Sequence, residues 1–500
     1  MKGSLMTTNN KFMLSMATIA ILSGASVALG AESELKVEGT ELKLGADKVT
    51  ITKGVANVAP KDADKTNDIA IKSKLDSKIG DSTMTQLNIT AKEAAVNVGE
   101  ASQSGGVVSI GGEAPKADGA VSADGYGVNI DAKSVALAGA ASNETQLNVN
   151  ADSTITTTAG TSVGANSAIN IANGKNLTVN GGLTTSDTTS KVSVNGGSLD
   201  LKGDLTATNG NISLGKDGAL NVTGALTGTA GDIKLGGGTM SVGGVLTQTG
   251  TTIDLGGGTL NVNGGGSLAG DKLTLTNGGT LNFGAGANAS ADKPTATTIS
   301  GAVSTTKDKA TNVNLSQNTK VTFSGDSLTL TNNTDTALDK INLNGGTLEV
   351  KKLTADATNL NTLGGGVINF TESGTAQAKD TGSTITNDFT ISNGTAMNLG
   401  KNVYLTLGGA DKSVTTKGSK ITFADGTSTL NVSNLNANAS DFDMSKGGKI
   451  VFADKSESQI SGNVALGDKQ SYAFSAAGTL NLESLSLTKT GNITFASKDS

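Results

Sequence analysis

Three sets of apolar residues recur in step along this chain, each with a period near 20 residues. One set reads Leu177/Val179, Leu199/Leu201, Leu220/Val222, Met240/Val242, Leu260/Val262 and Leu281/Phe283. A second reads Leu183, Leu205, Leu226, Leu246 and Leu268, and a third Val192/Val194, Ile212/Leu214, Ile233/Leu235, Ile253/Leu255 and Leu273/Leu275. A unit of this length cannot close a core alone, but stacked units can, so the shared period calls for a solenoid. Inside each pair a polar residue separates the apolar ones, the alternation of a strand with one buried face. Between the pairs lie Asn180-Gly181-Gly182, Asn195-Gly196-Gly197, Asn277-Gly278-Gly279 and Asn344-Gly345-Gly346, residue types that tolerate positive φ at sharp corners. The spacing predicts an all-β chain: a right-handed parallel β-helix (β-solenoid) of coils about 20 residues long, with three short strands per coil.

The third set is expected to run backwards through Ile169/Ile171, Leu147/Val149, Val128/Ile130, Val108/Ile110, Leu87/Ile89 and Ile69/Ile71. Leu35/Val37, Leu42/Leu44 and Val49/Ile51 have the same style. After residue 285 the spacing loosens, but pairs such as Val313/Leu315, Ile341/Leu343, Leu348/Val350, Leu430/Val432 and Leu480/Leu482 persist. Residues 283–500 add Phe283, Phe323, Phe370, Phe423, Phe452, Phe474 and Phe495, whose rings are expected to stack inside a wider core. Antiparallel hairpins are the competing architecture; they favour longer strands and two-residue turns. Helix is disfavoured by 68 glycines and frequent Asn. Residues 31–80 form a charged lead-in, as in Lys61-Asp62-Ala63-Asp64-Lys65, read as a solvated N-terminal cap.

The first 30 residues read as a secretory signal. Lys2 and Lys11 precede an apolar stretch over 12–27, and Ala28 and Gly30 sit at −3 and −1 of a cut before Ala31. Cleavage leaves residues 31–500 with a charge of −8 and no second apolar segment long enough for a spanning helix. With no cysteine, an exported chain relies on packing and backbone hydrogen bonds alone.

Composition removes much chemistry. The chain has no Cys, His or Trp, and all 38 of its basic residues are Lys. A thiol nucleophile, a Ser-His-Asp triad, a Cys-His zinc site and a guanidinium fork are therefore excluded. Net charge −6 with 3% aromatics argues against a nucleic-acid partner. Gly325-Asp326-Ser327-Leu328 spells a serine-esterase word and Gly80-Asp81-Ser82 looks like the start of a trypsin-type nucleophile motif, but both chemistries need a His base. Asn263-Gly264-Gly265-Gly266 lacks the Lys-Ser/Thr of a phosphate loop. Many parallel β-helices act on polysaccharides, using paired carboxylates or an Arg or Lys base. Asp200 and Asp254 alternate outward, yet they stand between two and three coils apart. Sugar platforms need exposed aromatics, for which Tyr126, Tyr404 and Tyr472 are the candidates. The reading is a non-enzyme with no cofactor and no catalytic, cofactor-binding or metal-binding residue.

The segments GGGTLNVNGGGSL at 256–268 and GGTLNF at 278–283, behind a signal peptide, resemble the autotransporter-associated β-strand repeat in the passenger region of type V autotransporters. The resemblance covers residues 31–500 in style and is clearest over 177–283. It implies an exported protein on the surface of a Gram-negative bacterium, or released from it, working as an adhesin or surface-interaction rod on a host or other surface ligand. A structural spacer or coat protein is the alternative, and a polysaccharide-acting β-helix enzyme a further one. The family also implies an outer-membrane translocator barrel of alternating strands. No barrel-like segment precedes Ser500, so the chain reads as a fragment or a truncated product.

Overall fold

The computed structural model describes residues 85–99 and 108–495, apart from 124, 142–143, 276, 302, 305–309 and 331–339; before residue 85 it describes only the strands between 27 and 83. The signal sequence up to residue 26, the Lys61–Lys65 charge cluster and Gly80-Asp81 lie outside the described residues. The chain forms two compact units, Met1–Asp254 and Leu255–Ser500. Each is a parallel β-solenoid, with strands stacked coil on coil into three sheets.

In the first unit all three columns hold their register. Leu177 pairs with Leu199, Leu199 with Leu220 and Leu220 with Met240 on the first sheet. Leu183, Leu205, Leu226 and Leu246 follow one another on the second. Val192, Ile212, Ile233 and Ile253 do so on the third. Every one of these side chains is at most 1% exposed. A parallel ladder fixes this outcome, since a slip of one residue would turn the whole apolar set outward. The corners are close contacts between backbones: at Gly231, φ 84°, a Cβ would lie 2.2 Å from the Gly210 carbonyl oxygen.

Two expectations for the N-terminal part are corrected. The third column continues through Ile169 and Leu147 to Ile110, where Val108–Ile110 pairs with Thr145–Val149. Val128/Ile130 instead pairs with Leu87/Ile89, and its strand with Ser153–Thr157 on the other side, on the first sheet. Ile69/Ile71 pairs with Val96/Val98 on the second. For Val128/Ile130 the cause is the long excursion over residues 111–126, which stretches one coil well beyond 20 residues and breaks the count. Strands Gln86–Val98 and Gly127–Leu137 each serve two sheets in one run, with a register shift between Ala132 and Ser134.

The second correction concerns the lead-in. Glu34–Val37 pairs antiparallel with Thr40–Leu44, and Lys48–Thr52 antiparallel with Val55–Ala59. These are hairpins, not coils. Only Glu38-Gly39 and Lys53-Gly54 separate the paired strands, and a two-residue link ending in Gly suits a tight reversal rather than a crossover. Val55–Ala59 then pairs parallel with Gln86–Val98, so the hairpin layer covers the edge of the first full coil. An uncovered edge would be a template for foreign strands.

In the second unit the coils lengthen but the ladders hold. Phe323, Val350, Phe370, Leu399 and Phe423 follow one another at one inward position. Rings there alternate with aliphatic residues on successive coils rather than stacking on each other, which corrects the expected aromatic stack. Ring-on-ring contact occurs at Phe452–Phe474 and Phe474–Phe495, with centroids 5.1 and 5.0 Å apart. Phe495 itself is 70% exposed, so the last ring of that stack is not interior. Gly448, φ 131°, is required by the core it borders: a Cβ there would come within 2.6 Å of the Phe423 ring.

One module recurs three times in this unit. A strand leads into a single turn of 3₁₀ helix, at Gly270–Lys272, Ala357–Asn359 and Ala439–Asp441, and then into a short strand and a double-glycine corner. The last two turns are held by reciprocal capping boxes.

Candidate functional site

Outward side chains are set by the same ladders that set the core. On the second sheet of the first unit Thr184, Thr206, Thr227 and Thr247 stand in register on four successive coils. Ser186, Thr208, Thr229 and Thr249 are exposed two residues further along each strand direction. None of these eight carries a charge, so the face is a plain array of hydroxyls and methyls.

The second unit carries amides at the matching place on its first sheet. Asn282 donates to Asn261, Asn314 to Asn282, Asn342 to Asn314 and Asn361 to Asn342, at 2.7, 2.7, 2.6 and 2.8 Å. Stacked identical strands align identical amides, and each closes a hydrogen bond to the coil before it. Glu349 joins Lys320 on the preceding coil at 2.6 Å.

The structure separates the carboxylates weighed from sequence. Asp200 lies on the first sheet, accepting from Asn221 Nδ2 at 2.7 Å, while Asp254 lies on the third. Gly325-Asp326-Ser327 forms the corner between Thr319–Phe323 and Leu328–Thr329. The Asp326 carboxylate lies 3.9 Å from Lys351 Nζ. Among the described residues no three carboxylates gather into a cation cage. Of the tyrosines, Tyr126 and Tyr472 are buried and Tyr404 half-buried. Burial raises the phenol pKa of Tyr404, with Asp380 adding to the effect, and pushes that of Tyr472 up to about 12. Tyr126 and Tyr472 offer no open ring face.

One partly exposed ring was not singled out from the sequence. Phe442 continues an inward column, in register on Ile421. Yet it stays partly exposed, because among the described residues no ladder bond joins Phe442–Asp443 to the coil above. Strand Ser456–Leu466 passes over it, bends at Gly462 (φ 79°) and pairs upward with Gly478–Leu487 instead. The result is a notch of about 300 Å³ walled by Phe442, Asp443, Asn463, Leu466, Gln470 and Tyr472, among others. Gln470 Nε2 donates to the Met444 carbonyl at 2.6 Å and closes its back. Hydrogen bonds from the Ser445 hydroxyl and backbone, then Lys420 and Lys446, hold the Asp443 carboxyl below the usual carboxylate range. A second cavity, of about 440 Å³, lies at a corner of the first unit and is lined by neutral Ser, Thr, Gly and Ala residues and Val135.

No helix among the described residues is long and apolar enough to cross a membrane. No family model, curated protein or solved structure matches this chain.

Proposed function

We propose that this chain is an exported surface protein, similar in design to an autotransporter passenger, that works by contact with other surfaces as an adhesin. The observation that carries this reading is the division of labour in each solenoid unit. The interior columns are apolar, while the ladders present one outward row of four Thr in the first unit and one of five Asn in the second. Such faces offer many weak polar contacts at fixed spacing, and repetition raises avidity without any deep pocket. The leader at residues 1–30 supports export. The test uses the purified mature chain, fluorescently labelled, on a glycan array and on cultured epithelial cells. Saturable binding is expected. A chain serving only as spacer or coat would give no saturable signal on either surface.

A further inference from the structure

We propose that the notch at Phe442 is a binding subsite for one hexopyranose residue of a glycan; this inference rests on the adhesive reading above and names its ligand class. Three features converge. The first is an aromatic ring in a core column that no paired strand covers. The apolar C–H face of a pyranose is the natural occupant of a lone aromatic face beside polar groups. The second is the polar set around that ring. Asp443 supplies a carboxylate acceptor and Asn463 an amide donor, its oxygen already accepting from the Ser484 hydroxyl, and both line the same 300 Å³ notch; the Gln470 amide is bonded at both ends, to Gly467 and Met444, and serves as wall. A sugar hydroxyl both donates and accepts, so a carboxylate beside an amide suits a vicinal pair of hydroxyls. The third is preorganisation. The Ser445 backbone N–H donates to Asp443 at 3.1 Å, Gln470 is tied to Met444, and the Ser484 hydroxyl donates to Asn463 Oδ1 at 2.7 Å. The walls are therefore set by the fold before any ligand arrives, which lowers the ordering cost of binding. The volume fits one ring, not an extended chain, so the ligand is a terminal or protruding residue. The other occupant that an interrupted sheet invites is a β-strand from a second copy.

The experiment is saturation-transfer NMR on the full chain with three probes: methyl β-galactopyranoside, methyl β-glucopyranoside and methyl α-mannopyranoside. Transfer is expected to at least one of them, strongest on the C–H protons of one ring face. It is expected to disappear in Phe442→Leu, which keeps an apolar side chain but removes the ring, and to fall several-fold in Asn463→Ala, whose side chain is exposed. Absence of transfer to all three glycosides overturns the proposal, as does unchanged transfer in Phe442→Leu. Should Phe442→Leu not fold, unchanged transfer in Asn463→Ala overturns it. Sedimentation showing self-association that Phe442→Leu abolishes would assign the notch to a second copy and also overturn it. Cell binding that survives Phe442→Leu leaves the adhesive reading standing without this subsite. Sugar transfer without cell binding leaves the subsite standing without the adhesive reading.

Discussion

Asp356 and Asp441 hold opposite ends of the same capping box in two equivalent coils. In one, Asp356 accepts from the Thr358 N–H at 3.0 Å while the Asn359 side chain accepts from the Asp356 N–H at 2.7 Å. In the other, Asn438 accepts from the Ser440 N–H at 3.0 Å while Asp441 accepts from the Asn438 N–H at 3.1 Å. Carboxylate and amide have traded places, and the turn is unchanged. The turn needs two side-chain oxygens at fixed positions, not a charge at a particular one. The exchange Asn438→Asp with Asp441→Asn is therefore expected to leave the urea midpoint nearly unmoved, since the other group on Asp441 is the Thr416 hydroxyl, which can donate to an amide oxygen as well. Asp356→Ala removes a cap and strands a donor, and is expected to cost about 1–2 kcal/mol. An exchange variant as weak as the alanine variant would refute the equivalence.

Leu260 is fully buried, with its register partner Leu281 on the next coil. Leu260→Asp places an unpaired charge in that column and is expected to lower stability by roughly 3–5 kcal/mol. Leu260→Met is expected to cost less than about 1.5 kcal/mol. Thermal melts of the two variants check this; equal melting temperatures would mean that the column does not face inward.

The asparagine ladder makes a sharper demand than polarity alone. Asn314 donates to Asn282 and accepts from Asn342. Asn314→Asp keeps size and acceptor but replaces the donor with an oxygen facing the Asn282 oxygen. A loss on the order of 1–3 kcal/mol is expected at neutral pH. The loss should shrink on acidification, when the carboxylic acid regains a donor. A pH-independent difference between the variant and the parent would show that the amide donor is not the issue.

Asp187 and Asp425 build the same corner in the two units, each accepting from the hydroxyl and backbone N–H of a Thr two residues on. Those bonds, led by the threonine hydroxyl, depress both carboxyl pKa values. A depressed folded value means stability present above the unfolded pKa of about 3.9 and lost as pH falls through the folded one. Asp187→Asn and Asp425→Asn are expected to flatten the acid limb of the stability curve. An unaltered limb in the double variant would remove these corners from the account of acid unfolding.

At the alkaline end Tyr472 supplies the probe. Its phenol is pushed up to about 12 by burial. A raised folded value contributes stability that is complete below the unfolded pKa, near 10, and lost as pH rises through the folded value. Phenolate absorbance of a Tyr126→Phe, Tyr404→Phe variant isolates this one group. Ionisation near 10 in the folded state would contradict its burial.

The three columns from residue 177 to 283 were legible because parallel ladders demand the same side chain at the same place on every coil. Alternation alone does not distinguish parallel from antiparallel neighbours, so Leu35, Leu42 and Val49 looked like coil residues. Glu38-Gly39 and Lys53-Gly54 were the signal that they were not. Counting also failed across residues 111–126, since period carries no information through a loop of unshared length. Phe442/Met444 is an apolar pair of the same kind, but Asp441 and Asp443 flank the ring and the loosened spacing after residue 285 gives no fixed period to place it in a column. That it is left partly uncovered depends on how the next coil is paired, which local pattern does not encode.

The excursion over residues 111–126 has a consequence for how such a chain can change. Ile110 still meets Leu147 in register across it, so coils are aligned by their ladders and not by chain length. Corner segments are thus free to take up insertions at small entropic cost, because closure entropy rises only slowly with loop length. This corner, and the shorter excursion over 371–382, are natural graft points. A foreign peptide placed at either would be displayed on a scaffold whose strands need not move, and new specificities can be tried one corner at a time.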